Sequence, residues 1–121
     1  MTKKRILVVD DEQVSRDGVA EVLADEGYEV AVAADGQEAI ARLPSFRPDL
    51  VLTDLRMPNL DGIGVLTHVK RMDPSLPVMV FTAHTTLDAE RTATQLGAQD
   101  YLNKPFNFDD MLARIARVFD L

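Results

Sequence analysis

The sequence predicts a single α/β domain built on a five-stranded parallel sheet. Short aliphatic runs alternate five times with segments whose apolar residues recur at helical spacing, without repeats or low-complexity stretches. Strands alternating with helices indicate parallel strands joined by right-handed crossovers. The expected strand order is 2-1-3-4-5, with its switch point between the first and third strands. A chain of 121 residues is long enough for one domain with one sizeable core.

The first strand and the first helix follow from an apolar run and a helical stripe. Ile6 to Val9 is continuously apolar, which predicts a strand buried on both faces. A helix follows and stops near Gly27, and the alternation from Tyr28 to Ala33 predicts the second strand. The positions at helical spacing in the first helix are Val14, Gly18, Val22 and Leu23.

Proline and glycine delimit the second and third helices. Asp35-Gly36 is a cap signal for the second helix, and Pro44 is predicted to end it, because proline lacks the N–H that continues a helix. Leu50 to Thr53 forms the third predicted strand, and Asp61-Gly62 opens the third helix. The apolar sides of the two helices consist of Ala39, Ile40 and Leu43, and of Val65, Leu66, Val69 and Met72.

The last two helices differ in apolar content. Val78 to Phe81 is the fourth predicted strand, and a fourth helix runs from Thr85 to Leu96, where Gly97 closes it. Tyr101 and Leu102 belong to a short fifth strand. The fourth helix has a thin apolar stripe (Leu87, Ala89, Ala93, Leu96), and the fifth has a fuller one (Met111, Leu112, Ile115, Val118, Phe119).

The composition argues against several functional classes. A net charge of −7 disfavours a nucleic-acid surface, because neutralising phosphates requires clustered lysine and arginine. The absence of cysteine excludes disulfides and thiolate chemistry. No apolar run approaches the roughly 20 residues needed to cross a bilayer, and no leader resembles a signal peptide. We therefore expect no membrane contact and a cytoplasmic location.

Four of the predicted strands end in residues suited to phosphate or metal chemistry. Asp10 and Asp11 follow the first strand, Asp54 the third, Thr82 the fourth and Lys104 the fifth. In a parallel α/β sheet, ligands bind at the carboxyl ends of the strands. These five residues are therefore predicted to share one pocket.

Three converging carboxylates indicate a hard metal ion. Two carboxylates about 4 Å apart repel by roughly 4 kcal/mol at an effective dielectric near 20, so a cation or protonation must offset them. Oxygen ligands favour Mg²⁺, which takes one or two carboxylates plus waters and phosphate oxygens. The alternative is that Asp10 and Asp11 only cap the first helix. Asp54, at the end of the neighbouring strand, favours the metal.

The remaining residues of the pocket indicate phosphoryl chemistry. Beside a divalent ion, the Asp54 carboxylate is poised to attack phosphorus and form an acyl phosphate, although a turn aspartate without chemistry is the alternative. The Thr82 hydroxyl can donate to a phosphoryl oxygen, and the Lys104 ammonium can offset its charge.

Taken together, these motifs resemble the receiver domain of two-component response regulators over the whole chain, 1–121. The resemblance implies a flavodoxin-like (βα)5 three-layer sandwich that ends with the fifth helix, so no effector domain is expected in this sequence. The sequence around Asp54 and Thr82 is most similar to that of receivers in nitrogen-regulation-type enhancer-binding transcription regulators. The matching segments are Val8-Val9-Asp10-Asp11-Glu12, Leu52-Thr53-Asp54-Leu55-Arg56-Met57-Pro58, Asp61-Gly62, Phe81-Thr82-Ala83-His84 and 97–106.

The resemblance implies specific roles at the site. Asp54 would take a phosphoryl group from a phosphohistidine on a sensor kinase or phosphotransfer protein, with slow autodephosphorylation afterwards. Asp11 and Asp54 would bind Mg²⁺ directly and Asp10 largely through water, and the main-chain carbonyl of Arg56 would be a further ligand. Lys104 would contact the phosphoryl group, with its bond to the following proline in the cis form.

The resemblance also implies a switch. Thr82 would move towards the phosphoryl group, and Tyr101 would change between outward and inward rotamers. Arg56 and His84 occupy the two variable positions that tune phosphoryl lifetime. The face formed by the fourth helix, fifth strand and fifth helix would change, to control an output domain, a partner or a homodimer. The kinase would dock on the first helix and the loop after the fifth strand, at Val14, Ser15, Gly18, Pro105, Phe106 and Asn107, although Val14 is equally plausible as a core residue.

Three alternatives compete with this interpretation. A phosphorylation-independent binding module of the same fold would lack a carboxylate or the lysine, and neither is missing. An aspartyl-phosphate phosphatase of the haloacid dehalogenase type would have a second aspartate two residues after Asp54, where Arg56 stands. A nucleotide-binding domain would need a glycine-rich loop after the first strand, where 10–12 is acidic and would repel phosphate.

Overall fold

One parallel sheet organises the chain, as a computed structural model describes it for residues 3–83 and 86–120. Its strand order is β2-β1-β3-β4-β5, which confirms the predicted topology. The strands are β1 (Arg5–Val9), β2 (Glu29–Ala33), β3 (Leu50–Thr53), β4 (Val78–Thr82) and β5 (Asp100–Asn103). The helices are α1 (Gln13–Asp25), α2 (Gly36–Phe46), α3 (Gly62–Met72), α4 (Leu87–Gln95) and α5 (Phe108–Val118).

The apolar strands separate two buried clusters, one on each face of the sheet. Alternate side chains of a strand point to opposite faces, so Leu7 and Val9 join one cluster while Ile6 and Val8 join the other. Helices α2, α3 and α4 contribute to the first cluster, and α1 and α5 to the second. This arrangement is the predicted three-layer sandwich.

The prediction that Pro44 ends the second helix is wrong. Helix α2 continues through Pro44 to Phe46 and stops where Arg47 adopts a left-handed conformation with φ of 53°. Pro44 lies in the last turn and has no N–H to donate to the Ile40 carbonyl, so the helix passes it at the cost of that hydrogen bond. The end of the helix is also held from outside, because Phe46 packs against the core and the Arg5 guanidinium lies 4.6 Å from its ring centroid.

Several residues assigned to apolar stripes are exposed rather than buried. Helix α4 buries only Ala93 fully among the described residues of its stripe, with Ala89 packed at the edge of the core. Helical spacing identified the inner faces, but the short helices leave the terminal positions beyond the sheet. The exposed members are Val14, Met72, Leu87 and Leu96.

The described part of the chain contains no helix with the length and apolar character needed to span a bilayer. The three carboxylates and the lysine singled out in the sequence all follow strands of the sheet, at its carboxyl edge.

Candidate functional site

The main chain fixes two aspartates side by side at the carboxyl edge of the sheet. Strands β1 and β3 are paired neighbours, and Asp10 and Asp54 each follow the last residue of one of them. The Asp54 N–H donates to the carbonyl of Val9 at 2.8 Å, and the Asp10 N–H donates to that of Ala33 at 3.1 Å. Sheet hydrogen bonding therefore continues into both residues and sets their separation.

Lys104 lies between the two carboxylates. Its Nζ is 2.7 Å from Asp10 Oδ2 and 2.9 Å from Asp54 Oδ2. The side chains of Lys104, Asp10 and Asp54 are 13%, 0% and 7% exposed. Buried charges require partners with good geometry, and here one ammonium serves two carboxylates. Lys104 thus supplies a cation to two of the three carboxylates, and the predicted metal ion stays a prediction.

The protonated form of Lys104 is favoured at the site. Burial alone would lower the pKa of this ammonium, but hydrogen bonds and charge from Asp10 and Asp54 outweigh burial and raise the pKa above its ordinary value. The main-chain N–H of Lys104 donates to the carbonyl of Thr82 at 2.8 Å. The side-chain Nζ lies 4.7 Å from the Phe81 ring centroid. Strands β4 and β5 thus hold the lysine over the aspartates.

The Asp54 carboxylate is fixed at both oxygens. Oδ1 accepts the main-chain N–H of Leu55 at 2.6 Å and that of Arg56 at 3.3 Å, while Oδ2 faces Lys104. Gly62 packs against the Asp54 main chain so closely that a Cβ there would collide with the Asp54 carbonyl oxygen. A side chain at position 62 would displace the Asp54 main chain, which explains the glycine.

Three carboxylates form a group that fits a hard cation. One oxygen from each of Asp10, Asp11 and Asp54 lies within 4.8 Å of the others; Asp10 and Asp54 are buried and Asp11 is exposed. An all-oxygen set that is open to solvent on one side suits Mg²⁺, which keeps several waters. Asp10 also supports the start of α1, because its Oδ1 accepts the N–H of Glu12 at 3.0 Å. The N-cap of α1 is nevertheless Glu12, and no side chain caps the helix, so the alternative that Asp10 and Asp11 only cap the first helix is wrong.

The carboxylates open onto two adjoining depressions. A cavity of about 310 Å³ is lined by Asp11, Glu12, Asp54, Arg56, Ala83 and Lys104. A second, mainly apolar groove of about 540 Å³ is lined by residues of α1 and of the segment after β5, including Val14, Gly18, Pro105, Phe106 and Phe108. The two share Glu12, Ala83 and Lys104. The groove therefore adjoins the cavity that Asp54 lines.

The remaining predicted site residues differ in how deeply they are buried and in how close they lie to the cavity. Thr82 ends β4 and is fully buried, and Arg56 is exposed at the cavity. Tyr101 is partly buried in β5, and its hydroxyl meets no hydrogen-bond partner among the residues that the structure describes. His84 lies outside the described residues. The Lys104-Pro105 bond is cis, as the family resemblance implied.

Two contacts that shape the site were missed in the sequence. Arg16 Nη1 donates to the Asp10 carbonyl at 2.9 Å and so ties α1 to the end of β1. Asn59 Nδ2 donates to Asp35 Oδ2 at 2.7 Å, across 24 residues of sequence. A cation one turn into a helix that follows the acidic pair was the available signal for Arg16. No local pattern indicated the contact between Asn59 and Asp35.

Comparison with known proteins identifies relatives for nearly the whole chain. The chain is 41% identical over 117 residues to the DNA-binding transcriptional regulator NtrC of Salmonella typhimurium, which covers 97% of this chain and 25% of that protein. It is 40% identical over 111 residues to the response regulator MprA of Mycolicibacterium vanbaalenii, covering 92% of this chain and 48% of that protein. The chain thus spans a quarter to a half of these curated relatives.

Solved structures have the same architecture. A CheY-like response regulator receiver domain protein from Methanospirillum hungatei superposes with a TM-score of 0.94 at 31% identity, covering 98% of this chain and 95% of that one. NtrX from Brucella abortus superposes with a TM-score of 0.92 at 36% identity, covering 98% and 27%. The family model described as response regulator receiver domain matches residues 6–116. This chain therefore belongs to the response regulator receiver domains of two-component systems.

Proposed function

We propose that residues 1–121 form one receiver domain that works as a phosphorylation-dependent switch, with Asp54 as the phosphoacceptor. The observation that carries this proposal is the Asp54 carboxylate, which is nearly buried, held by main-chain N–H groups at one oxygen and adjacent to the Lys104 ammonium at the other. The same carboxylate lines a solvent-accessible cavity that could admit a phosphoryl group.

The proposed reaction is transfer of a phosphoryl group from nitrogen to oxygen. A carboxylate oxygen of Asp54 attacks the phosphorus of a phosphohistidine, and an O–P bond forms as the P–N bond breaks. The leaving imidazole keeps the electron pair and takes up a proton, and the product is an acyl phosphate. Lys104 offsets the charge of the phosphoryl oxygens, while the N–H groups of Leu55 and Arg56 hold the other carboxylate oxygen in place.

Asp10, Asp11 and Asp54 would hold Mg²⁺, with the main-chain carbonyl of Arg56 as a further proposed ligand. When bound, Mg²⁺ supplies positive charge between the carboxylates and the phosphoryl oxygens, which would otherwise repel one another. The clustering of the three carboxylates supports this assignment, because one ammonium offsets only one of their three negative charges.

The proposed switch starts from the added charge. Phosphorylation brings about −1.5 to −2 charge and three acceptor oxygens to Asp54, which gives Lys104 a new partner and Thr82 a group to which it can donate. Tyr101 would follow Thr82, and its buried hydroxyl without a partner among the described residues is consistent with a side chain that has a second position. Arg56 and His84 would set the phosphoryl lifetime.

The proposed output is the face made by α4, β5 and α5. Helix α4 is weakly anchored, since Ala93 is its buried residue among those described, so it is the helix that costs least to shift. This face would contact an output domain, a partner or a second copy of the chain. Similarity to transcription regulators supports a role in gene control exerted through another domain, without direct nucleic-acid contact by this acidic one.

The proposed phosphodonor is a sensor histidine kinase or a phosphotransfer protein in the cytoplasm. The apolar groove beside the acceptor cavity would receive a helix of that partner. Val14 is 85% exposed at its rim, and Phe108 is also exposed. This exposure favours the docking interpretation of Val14 over a place in the core, which the sequence left open.

Beryllium trifluoride, a phosphoryl mimic, tests the proposal directly. With Mg²⁺ present, it should shift the amide resonances around Asp54 and along β4, α4 and β5. The absence of any change would favour a phosphorylation-independent binding module. Rapid turnover of small phosphate esters would instead favour a phosphatase.

A further inference from the structure

The segment that follows Asp54 is tied to a distant helix. We call residues 55–61, between β3 and α3, the acceptor loop. Asn59 Nδ2 donates to Asp35 Oδ2 at 2.7 Å, and Asp35 Oδ1 accepts the N–H of Glu38 at 2.8 Å, which caps α2. The Gly36 N–H donates to the Leu60 carbonyl at 3.0 Å. One aspartate therefore serves both the start of α2 and the acceptor loop.

Asn59 and Gly36, on the two sides of this contact, each occupy a position that few residue types can adopt. Asn59 has a φ of 68°, in the left-handed region that asparagine tolerates better than most residues. At Gly36, a Cβ would collide with the Leu60 carbonyl oxygen, so the two loops touch main chain to main chain. The pKa of Asp35 is lowered by the N–H of Glu38 and then by the amide of Asn59, so the acceptor is a carboxylate at neutral pH.

The acceptor loop contains groups on which the site depends. Its first residues, Leu55 and Arg56, donate their N–H groups to Asp54 Oδ1. Its far end leads into Gly62, which packs on the Asp54 carbonyl and donates its N–H to the carbonyl of Leu55 at 2.8 Å. Between these ends, the loop is fastened to α2 through Asn59 and Leu60.

We propose that Asp35 and Asn59 are positioning residues for the acceptor site. Their side-chain hydrogen bond holds the acceptor loop so that the N–H groups of Leu55 and Arg56 stay on Asp54 Oδ1 and Arg56 stays at the cavity. The inference rests on the proposed function only in taking the Arg56 carbonyl as a metal ligand. The restraint on the loop is a property of the protein without added metal.

A pair of exchanged residues tests the hydrogen bond itself. Asn59→Asp alone sets two carboxylates against each other and removes the donor. The double variant Asp35→Asn/Asn59→Asp restores the bond with donor and acceptor exchanged, and asparagine at position 35 still caps α2. Asn59→Gly keeps a residue that accepts positive φ but removes the side chain. Gln99→Glu, which adds one carboxylate at an exposed position before β5, at the opposite edge of the sheet, serves as the charge control.

The measurements are amide hydrogen exchange of residues 55–61 without added Mg²⁺, the Mg²⁺ dissociation constant, and the melting temperature. We expect Asn59→Asp to raise loop exchange and weaken Mg²⁺ binding by roughly threefold to tenfold, the scale of one ordinary hydrogen bond. Asn59→Gly should act in the same direction, whereas the exchanged double variant and Gln99→Glu should stay near wild type.

The proposal is overturned if Asn59→Asp leaves loop exchange unchanged, or if the exchanged double variant is as impaired as Asn59→Asp. A general loss of packing would lower the melting temperature of both and would not be reversed by the exchange. Labelling of the wild type by acetyl phosphate separates the two proposals. Failure to label contradicts the proposed function, while hydrogen exchange still decides the role of Asp35 and Asn59.

Discussion

Two clusters in this domain have the same composition, one cation with two aspartates, and different surroundings. Lys104 contacts Asp10 and Asp54 at 2.7 and 2.9 Å. Arg114 contacts Asp100 and Asp110 at 2.8 and 3.1 Å. The distances are nearly equal. The first cluster is 0–13% exposed, whereas the side chains of Arg114, Asp100 and Asp110 are 30%, 31% and 48% exposed.

The comparison shows that burial, rather than distance, separates a site from a surface ion pair. Water solvates Arg114 whether or not its partners are present, so its bridges add little. The carboxylates beside Lys104 have lost their hydration and depend on whatever positive charge enters the pocket. A change of cation or an added phosphoryl group therefore has large consequences at Asp54 and small ones at Asp100.

The largest contrast concerns phosphorylation. Asp54→Asn should abolish stable labelling by acetyl phosphate, because an amide does not form the acyl phosphate. Asp100→Asn removes one negative charge from the surface cluster and should label like wild type. The measurement is incorporation of radioactive phosphate from acetyl phosphate with Mg²⁺ present. Wild-type labelling of Asp54→Asn would contradict the assignment of the acceptor.

Removing each cation should give the next largest difference. Lys104→Met leaves two buried carboxylates without a cation and should lower the free energy of unfolding by about 3 kcal/mol. This is the lower end of the range for a broken buried ion pair, because the site borders a cavity. Arg114→Met should cost less than about 1 kcal/mol, the scale of an exposed bridge. Urea denaturation measures both. An equal loss of unfolding free energy in the two variants would show that burial does not decide how much each ion pair contributes.

Lys104→Met also separates metal binding from switching. The carboxylates remain in this variant, so Mg²⁺ should still bind and should recover part of the lost stability. The response of α4 to phosphorylation or to beryllium trifluoride should be lost, because Lys104 no longer reads the phosphoryl charge. Loss of Mg²⁺ affinity with the response intact would contradict the role given to the lysine.

Alkaline pH should reduce the contribution of Lys104 but not that of Arg114. The folded-state pKa of Lys104 is raised, so its stabilising effect is complete below the unfolded pKa of about 10.4 and is lost as the pH rises through the higher folded value. The difference in unfolding free energy between wild type and Lys104→Met should therefore shrink above about pH 10.4. The difference for Arg114→Met should stay constant in this range, because the pKa of a guanidinium lies higher still.

Salt should produce the smallest effect. At about 1 M NaCl the screening length falls to about 3 Å, so the small cost of Arg114→Met should disappear. Most of the cost of Lys104→Met should persist, because little solvent reaches that cluster. The comparison needs unfolding curves for wild type and both variants at low and high salt. If high salt reduced the unfolding free-energy cost of both substitutions by the same fraction, solvent ions would enter the Lys104 cluster freely.

The sequence predicted the sheet well, for a physical reason. Strands buried on both faces must be apolar at nearly every position, as in Ile6 to Val9, so they are recognised without tertiary information. Helix ends are harder to predict. Pro44 should end α2 by local rules, but packing of Phe46 on the core extends it. Val14 and Leu87 have helical spacing yet face solvent, because spacing does not say where the sheet stops.

The carboxylates were predictable because strand order brings the ends of β1 and β3 together. The sequence prediction that they need a cation did not reveal that Lys104 already contacts both Asp10 and Asp54. The contact between Asp35 and Asn59 was also beyond reach, because it depends on how two loops of irregular backbone pack. The roles assigned to the site residues stay predictions: Asp54 as phosphoacceptor and metal ligand, Asp10 and Asp11 as metal ligands, Lys104 and Thr82 at the phosphoryl group, Tyr101 in the switch, and Arg56 and His84 in phosphoryl lifetime.

The hydrogen bonds at Asp54 make the two oxygens of its carboxylate inequivalent. An ionised carboxylate has two equivalent oxygens in water. Here Oδ1 accepts two main-chain N–H groups, and Oδ2 contacts the ammonium of a side chain. The protein has thereby made the two atoms chemically distinct. An oxygen-18 label introduced at Asp54 would keep its position through repeated rounds of phosphorylation and hydrolysis at phosphorus, so long as the carboxylate does not rotate.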